Sequence, residues 1–362
     1  MAWSRMIEDL APPAASLTLI EPARAFQHAA TLVLGTLADR PEARFYAART
    51  TSQPAANLTL HDVVVDPDTG LVFQAGEVVR WACYPPRAAE EDAARRRAAI
   101  ARPAARGRLA YCGFNRHWRN HFHWLTQCIP AIAGYATDLA WPDGVLLLPP
   151  VDADQMRALC LSGADPSNIE TIDPACAIAV DRLVYSSLLT HQTAPSPFSR
   201  SVFEWMTTRV TPADRSIPAD AIYVSRADAV NRPMRNEAEC VALMIARGIE
   251  PVIASALTID QKIAKFHAAR LVVGAHGAGL ANIVFCQPGS VVYELFPEHA
   301  VGLNIGPGVN LLAQQHGLHY WADVHPSHGS FRQFGHLVPW SADLDRVRRG
   351  LDAIELAMDW AH

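Results

Sequence analysis

A chain of 362 residues, half of them hydrophobic and 19% charged, has material for one or two buried cores. Its net charge of −5 excludes a global pull toward nucleic acid or anionic lipid, so an anionic ligand needs locally placed positive charge. The cysteines number seven, with no CxxC pair, which excludes a disulfide scaffold or zinc ribbon and reads as free thiols in a reducing compartment.

In chain order, "MAWSRMIEDLAPPAASLTLIEP" carries Glu8 and Asp9 and lacks the apolar stretch of a signal peptide. No run reaches the roughly 18 apolar residues of a membrane span. The expectation is a cytoplasmic protein, with peripheral contact at the inner face of a membrane left open. The first hundred residues read as strand-rich. "NLTLHDVVVDPDTGLVFQAGEVVRW" holds two β-branched runs around Asp66-Pro67-Asp68-Thr69-Gly70, a hairpin pattern. "EEDAARRRAAIARPAARGR" reads as a helix with Glu91–Arg95 and Asp92–Arg96 pairs, acids first and bases last. It is either a solvated face or a docking surface for an acidic acceptor or membrane.

From Leu109 strands and helices alternate. "RLAYCGF" predicts a strand and "NHFHWLTQCIPAIAGYA" a helix kinked at Pro130. "GVLLLPP" predicts a buried strand, and "DADQMRALCLSGA" a helix capped by Asp152 and closed near Gly163. "RLVYSSLL" is a strand and "SPFSRSVFEWMTTRV" a helix running into the Pro- and charge-rich "TPADRSIPAD". Domain boundaries follow: 1–215 as an N-terminal part, β-rich and then α/β; 216–340 as a second α/β part; and 341–362 as a terminal helix packing back on the first. Within 216–340, "AIYVSR", "IEPVIA", "LVVGAHG", "GSVVYELFP" and "HYWADV" are strands separated by helices, among them one closed by Gly248 and one capped by Thr258. That alternation predicts a parallel, doubly wound sheet.

Three places carry chemistry. In "LVVGAHGAGLANIVF", an apolar strand ends at Gly274, and Gly277 and Gly279 let the backbone turn tightly before a short helix. Helix N–H groups then point into the crevice at the strand ends, where phosphates bind in open α/β sheets. His276 sits at the tip as a candidate donor to a phosphate oxygen. The pattern is not the dinucleotide GxGxxG. Glu294 ends the next strand, placed to accept from ribose hydroxyls. In "YVSRADAVNRPMRNEAE", Arg226, Arg232 and Arg235 cluster in a strand-to-helix loop, where guanidinium groups suit phosphate oxygens. Asn236 with Glu239 reads as a capping box. In "HWRNHFHW", His117 and His121 stand four apart, as two metal ligands on a helical face would. No Glu lies between them, and Arg119 adds positive charge. "HPSHGSFRQFGH", with His325, His328 and His336, reads as a solvent loop or an acceptor-side loop.

"SRADAVNRPMRNEAE", then "LTIDQKIAKFHAARLVVGAHGAGLANIVFCQPGSVVYELFP", preceded by "NHFHWLTQCIPAI", resembles glycosyltransferase family 61, in the manner of its bacterial capsular-polysaccharide-type members. The resemblance covers residues 110–135 and 220–297. It implies a GT-B-like α/β fold, two Rossmann-type domains facing across a cleft, here with a β-rich N-terminal portion. It implies inverting transfer from a nucleotide sugar, usually a UDP-sugar, to a glycan or other hydroxyl acceptor, with no cofactor and no obligate metal. Carried over, Arg226 and Arg232 fall on its basic positions, and His276, Gly277, Ala278, Gly279 and Leu280 on its donor-phosphate turn. Glu294 falls on its strand-end acid. Asn120, His123, Trp124 and Pro130 fall on its Asn-x-x-His-Trp and proline positions. Pro233 and Arg235 depart from the family pattern.

On this reading the positive groups neutralise a leaving diphosphate, and one histidine takes the acceptor proton. His123 is the first choice for that base and His121 the second; Asn120 and Trp124 line the acceptor side. Two alternatives stay open at the level of sequence: a metal-dependent hydrolase built on His117 and His121, and a non-catalytic nucleotide-sugar or glycan-binding protein.

Overall fold

The computed structural model describes residues 16–22, 25–27, 32–33, 35–39, 49–51, 54–81, 83–84, 86–104, 109–136, 138, 143–190, 197–210, 220–301, 308–329, 332 and 335–357. The expectations for Glu8 and Asp9 and for "TPADRSIPAD" before Asp220 lie outside these residues. The chain forms two compact units, 1–25 with 51–209 and 26–50 with 210–362.

The first unit is built on a mixed sheet. Its strands are β1 (Ser16–Glu21), β2 (Ala55–Val65), β3 (Val72–Gln74), β4 (Glu77–Val78), β5 (Arg102–Pro103), β6 (Leu109–Cys112), β7 (Val145–Leu148), β8 (Ile169–Thr171) and β9 (Ile178–Ser186). The order is β8-β7-β6-β9-β2-β3-β4, with β1 beside β2 and β5 beside β9. The strands from β8 to β9 run parallel; β9–β2, β2–β3 and β3–β4 are antiparallel. The β2–β3 hairpin turns where the sequence predicts. Asp66 Oδ2 accepts from the Thr69 N–H at 3.0 Å, and Gly70, at φ +67°, donates to the Asp66 carbonyl. Asp66 is fully buried, and Arg97 meets it at 2.6 and 2.9 Å. This ties the hairpin to helix α1 (Ala88–Ala98). Other arginines of α1's surroundings are paired too: Arg95 with Glu77 and Glu91, and Arg80 with Glu91. Much of its basic charge is therefore already compensated.

The helical run 121–135 has a structural irregularity that the sequence assigns only to Pro130. His121–His123 and Ile129–Tyr135 are α-helical, and Trp124–Cys128 between them is a π turn. Pro130 has no N–H for the carbonyl four residues back. Just before it, Ile129 N–H reaches five residues back, to Trp124, and the Thr126 hydroxyl donates to the Phe122 carbonyl at 2.6 Å. Asp152 caps the helix Ala153–Ser162 in a reciprocal box with Gln155, and Gly163 closes it at φ +98°.

The second unit carries β10 (Ala221–Ser225), β11 (Glu250–Ile253), β12 (Leu271–Ala275), β13 (Val291–Pro297) and β14 (His319–His325). Their order is β11-β10-β12-β13-β14, continued by the short strand Leu32–Val33. Every pairing is parallel. Leu32–Val33 thus extends the second unit's sheet, which no local pattern around it announces. The terminal helix Leu344–Ala357 is a correction as well. Val347, Leu351 and Ile354 join the core of Tyr223, Val273 and Tyr293, so the helix belongs to this unit and not to the first. Each such side chain contributes about 1.5–3 kcal/mol by leaving water. None of the seven cysteines is paired, and no described helix is long and apolar enough to cross a membrane.

Candidate functional site

In the second unit the chain leaves β10 for β11 on one side and returns to β12 on the other. The loops after β10 and β12 therefore part from each other, which opens a crevice at the carboxyl ends of these two strands. The loop after β10 carries Arg226 and Arg232, and the turn after β12 carries His276 to Leu280.

The β10 loop is tied down at its root. Glu237 Oε1 accepts from Tyr223 Oη at 3.1 Å, Ser225 Oγ at 2.6 Å and Arg226 N–H at 3.0 Å. Asn236 does not cap through its side chain, as the sequence suggests; its amide pairs both ways with the Ala342 backbone, at 2.8 and 2.9 Å. The loop is clamped again at Arg232, whose φ of +54° is left-handed for a residue with a side chain. Such a conformation costs about 1–3 kcal/mol and persists where neighbours over-determine it. Here Arg232 N–H donates to the His336 carbonyl at 2.6 Å, and the Trp340 indole donates to the Arg232 carbonyl at 2.9 Å. Trp340 itself is 1% exposed.

The two guanidinium groups so held are half-buried. Arg226 gives Nη2 to the Asn231 carbonyl at 2.6 Å. Neither arginine has a carboxylate ion-pair partner among the described residues, and the Nε of each is buried without an acceptor. Burial pushes both pKa values down, that of Arg232 to about 10 with help from the nearby Arg226 charge. Both remain cationic at neutral pH. Arg235 is exposed, and among the described residues its backbone N–H donates to the Trp340 carbonyl.

The turn after β12 explains its glycines by space. Gly277 has extended backbone, φ 171°, which any residue adopts. A Cβ there would overlap the Arg226 guanidinium. Gly274 leaves room for the buried Leu280 side chain, so Leu280 holds the turn in place and meets no ligand. The segment Ala278–Phe285 is 3₁₀-helical, not α. Leu280 N–H is spent on the Gly277 carbonyl at 3.1 Å, while the N–H groups at the start of a helical segment have no partner within it. Replacing Gly277 with alanine is expected to leave the melting temperature nearly unchanged, because the displaced atoms end a flexible side chain. Affinity for a phosphate-bearing ligand is expected to fall at least about tenfold, measured by calorimetric titration, because Arg226 is pushed off its position.

His276 and Glu294 differ from their expected roles. His276 Nδ1 lies 2.7 Å from Glu294 Oε1, and Tyr320 Oη donates to the other oxygen. Glu294 is 0% exposed. This pairing replaces the expected grip on a ribose hydroxyl: the carboxylate orients the His276 ring, which also stacks on Phe296 at 4.5 Å. Burial lowers the His276 pKa against the raising effect of Glu294, and both arginines add to the lowering. The neutral ring gives its Nδ1 proton to Glu294 and presents a lone pair at Nε2. Nε2 is then an acceptor, where the sequence suggests a donor to phosphate.

In the first unit His123 sits in a polar knot. Gln127 Oε1 accepts from Asn115 Nδ2 at 2.8 Å, which orients the amide, and lies 2.9 Å from His123 Nδ1. Gln127 Nε2 donates to Tyr84 Oη at 2.6 Å, and that hydroxyl is 3.2 Å from His123 Nδ1. The acceptor at Nδ1 fixes the proton there, so Nε2 carries the lone pair. Burial lowers the His123 pKa and favours this neutral form. Tyr84, Asn115 and Gln127 were not legible as a group; they converge from three separate segments.

His117 lies in the turn before the helix, whose first residue is His121. The two are therefore not ligands on one helical face; His117 stacks instead on His123, ring centres 4.8 Å apart. His121 is half-buried at the helix start. Among the described residues no group of three or more His, Cys, Asp or Glu is placed to hold a metal ion. Asn120 accepts from Phe122 N–H at 2.9 Å and caps the helix. Trp124 is 2% exposed and packs inside the unit, so it offers no acceptor surface. His325 is buried against Trp340 and accepts from Asp343 N–H at 3.1 Å, and His328 meets Ser341 Oγ at 2.7 Å. His325 is thus part of the second unit's interior, whereas His328 and His336 are exposed.

Arg226, Arg232 and the glycine turn thus lie on the loops at the switch point of a parallel α/β sheet. The family model described as Glycosyltransferase 61 matches residues 121–293, nearly half of the chain. The span begins at the helix of His123 and ends one residue before Glu294. The chain carries a domain of glycosyltransferase family 61 and is a glycosyltransferase, an enzyme that works on a sugar donor and an acceptor. No curated protein matches it.

Proposed function

We propose that this enzyme transfers a sugar, with inversion, from a nucleotide sugar to a hydroxyl of a glycan acceptor, and that it needs no metal to do so. The observation that carries the reading is the pair Arg226 and Arg232, two half-buried cationic side chains without a direct carboxylate ion pair among the described residues, at the switch point of a parallel sheet. Diphosphate oxygens are the complement of such a pair. The first-turn N–H groups of Ala278 and Gly279 add to that grip. His276 accepts a donor hydroxyl, positioned by Glu294.

In the reaction the acceptor oxygen attacks the anomeric carbon while the bond from that carbon to the phosphate oxygen breaks. Negative charge grows on the departing nucleoside diphosphate, and the two guanidinium groups stabilise it. His123 Nε2 takes the acceptor proton. The family resemblance supports UDP as the nucleotide, a GT-B-like fold class, and a place in cytoplasmic polysaccharide assembly, with peripheral membrane association.

A thermal-shift panel of nucleotide sugars, run with and without EDTA, tests donor class and metal independence together. A UDP-sugar is expected to raise the melting temperature equally in both conditions. Stabilisation that disappears in EDTA, or no stabilisation by any nucleotide sugar, contradicts the reading.

A further inference from the structure

Buried N–H donors without an acceptor are rare in folded proteins, and a group of them marks a place where a ligand supplies the acceptor. Three occur on the loops at the carboxyl end of the second unit's sheet: Arg226 Nε, Arg232 Nε and the Nε2 of His299, all buried without a partner among the described residues. Sequence reasoning singled out the two arginines but not His299.

His299 stands on the short helix Glu298–Val301, directly after β13, the strand that carries Glu294 and Phe296. Its backbone N–H donates to Ser327 Oγ at 3.1 Å, and its Nδ1 lies 2.7 Å from the same oxygen. Ser327 Oγ accepts from the backbone and has one proton to give, and donation of that proton to Nδ1 completes the pair. The ring proton is then on Nε2, which makes that atom a donor. Ser327 is in turn paired with Trp340, the residue whose indole clamps Arg232. Ring and guanidinium are thus positioned by one small framework. Burial, and then the nearby Arg232 charge, push the His299 pKa down to about 4, so it donates as a neutral ring.

We infer that His299 is a third diphosphate-binding side chain, giving its Nε2 proton to an anionic oxygen of the nucleoside diphosphate beside Arg226 and Arg232. The inference rests on the donor reading above. It divides the work by charge: two cations supply attraction, and a neutral donor fixes orientation without adding a third buried charge. His276 offers a lone pair and His299 a proton, so the two histidines recognise different parts of the donor.

Calorimetric titration of UDP and of uridine into the full-length protein tests this, with His299→Ala, His299→Asn, His299→Gln and Arg232→Ala beside wild type. Asparagine keeps a partner for Ser327 but places no donor where Nε2 was; glutamine reaches that position. His299→Ala and His299→Asn are expected to weaken UDP binding about tenfold and leave uridine binding unchanged, with His299→Gln recovering most of the loss. The asparagine variant carries the test if the alanine variant fails to fold. UDP affinity unchanged in a folded His299→Asn protein, while Arg232→Ala has lost it, overturns the role of His299 and leaves the donor site standing. If wild type and Arg232→Ala bind UDP alike, or wild type does not bind it, the donor reading falls and the inference with it.

Discussion

Replacing Arg232 with alanine is expected to lower kcat/KM for the sugar donor by about 10²–10³, the loss seen when one preorganised donor to developing negative charge is removed. The side chain is half-buried, cationic, and makes no direct carboxylate ion pair among the described residues; its Nε is buried without an acceptor. Its position is enforced by Trp340 and by the backbone of His336 across more than a hundred residues of sequence. That preorganisation is why the effect is large: the protein has already met the cost of placing and desolvating the charge. Lysine at 232 is expected to recover only part of the loss, since an ammonium lacks the planar fork that meets two phosphate oxygens at once. Steady-state kinetics with a circular-dichroism control decide this. A folded Arg232→Ala protein with wild-type kcat/KM removes Arg232 from the mechanism.

Replacing His123 with alanine is expected to lower kcat by about 10²–10⁴, the range for general-base catalysis, while the donor KM stays within about twofold. The effect falls on kcat because the donor site lies on other residues. The pH profile gives a second reading of the same residue. Burial disfavours the imidazolium, so the His123 pKa lies below the ordinary 6.5. The base is therefore active in its neutral form at pH 7, and the acid limb of kcat/KM falls at a pH below about 6.5. Replacing Gln127 with glutamate puts a carboxylate at Nδ1, which favours the charged ring and is expected to move that limb upward. An acid limb that stays where it is in Gln127→Glu, or turnover that survives His123→Ala, assigns the proton to another group.

The sequence carried most of the second unit because its elements are locally specified. Strands of continuous apolar residues, a Thr258 cap with Gln261 three residues on, and a Gly248 at φ +70° each declare themselves within a few positions. Arg226, Arg232 and the 276–280 turn were legible for the same reason: charge and glycine cluster at strand ends. What escaped was every feature made by distant residues. Glu237 ties the Ser225–Arg226 turn from the next helix, and its neighbours Asn236 and Glu239 drew the eye to a capping box instead. Trp340 fixes Arg232 from the far end of the unit. Residues 26–50 cross into the second unit, and the terminal helix packs there too. Glu294 shows the limit most plainly. Its strand-end place is right, but only its burial and its hold on His276 reveal that it acts through another side chain.

"HWRNHFHW" changed in the same way. Three histidines at metal-like spacing became a turn residue, a helix start and one ring whose tautomer is set by Gln127. The spacing was real, but the helix begins too late to use it.

The central claim is that fixed guanidinium charge, and not a metal ion, holds the leaving diphosphate. Titration of UDP in the presence of EDTA, into wild type and into an Arg226→Ala/Arg232→Ala double variant, tests it most directly. The account predicts binding by wild type that is the same with and without the chelator, and loss of that binding in the folded double variant. Binding that needs a divalent cation, or that survives removal of both arginines, contradicts it.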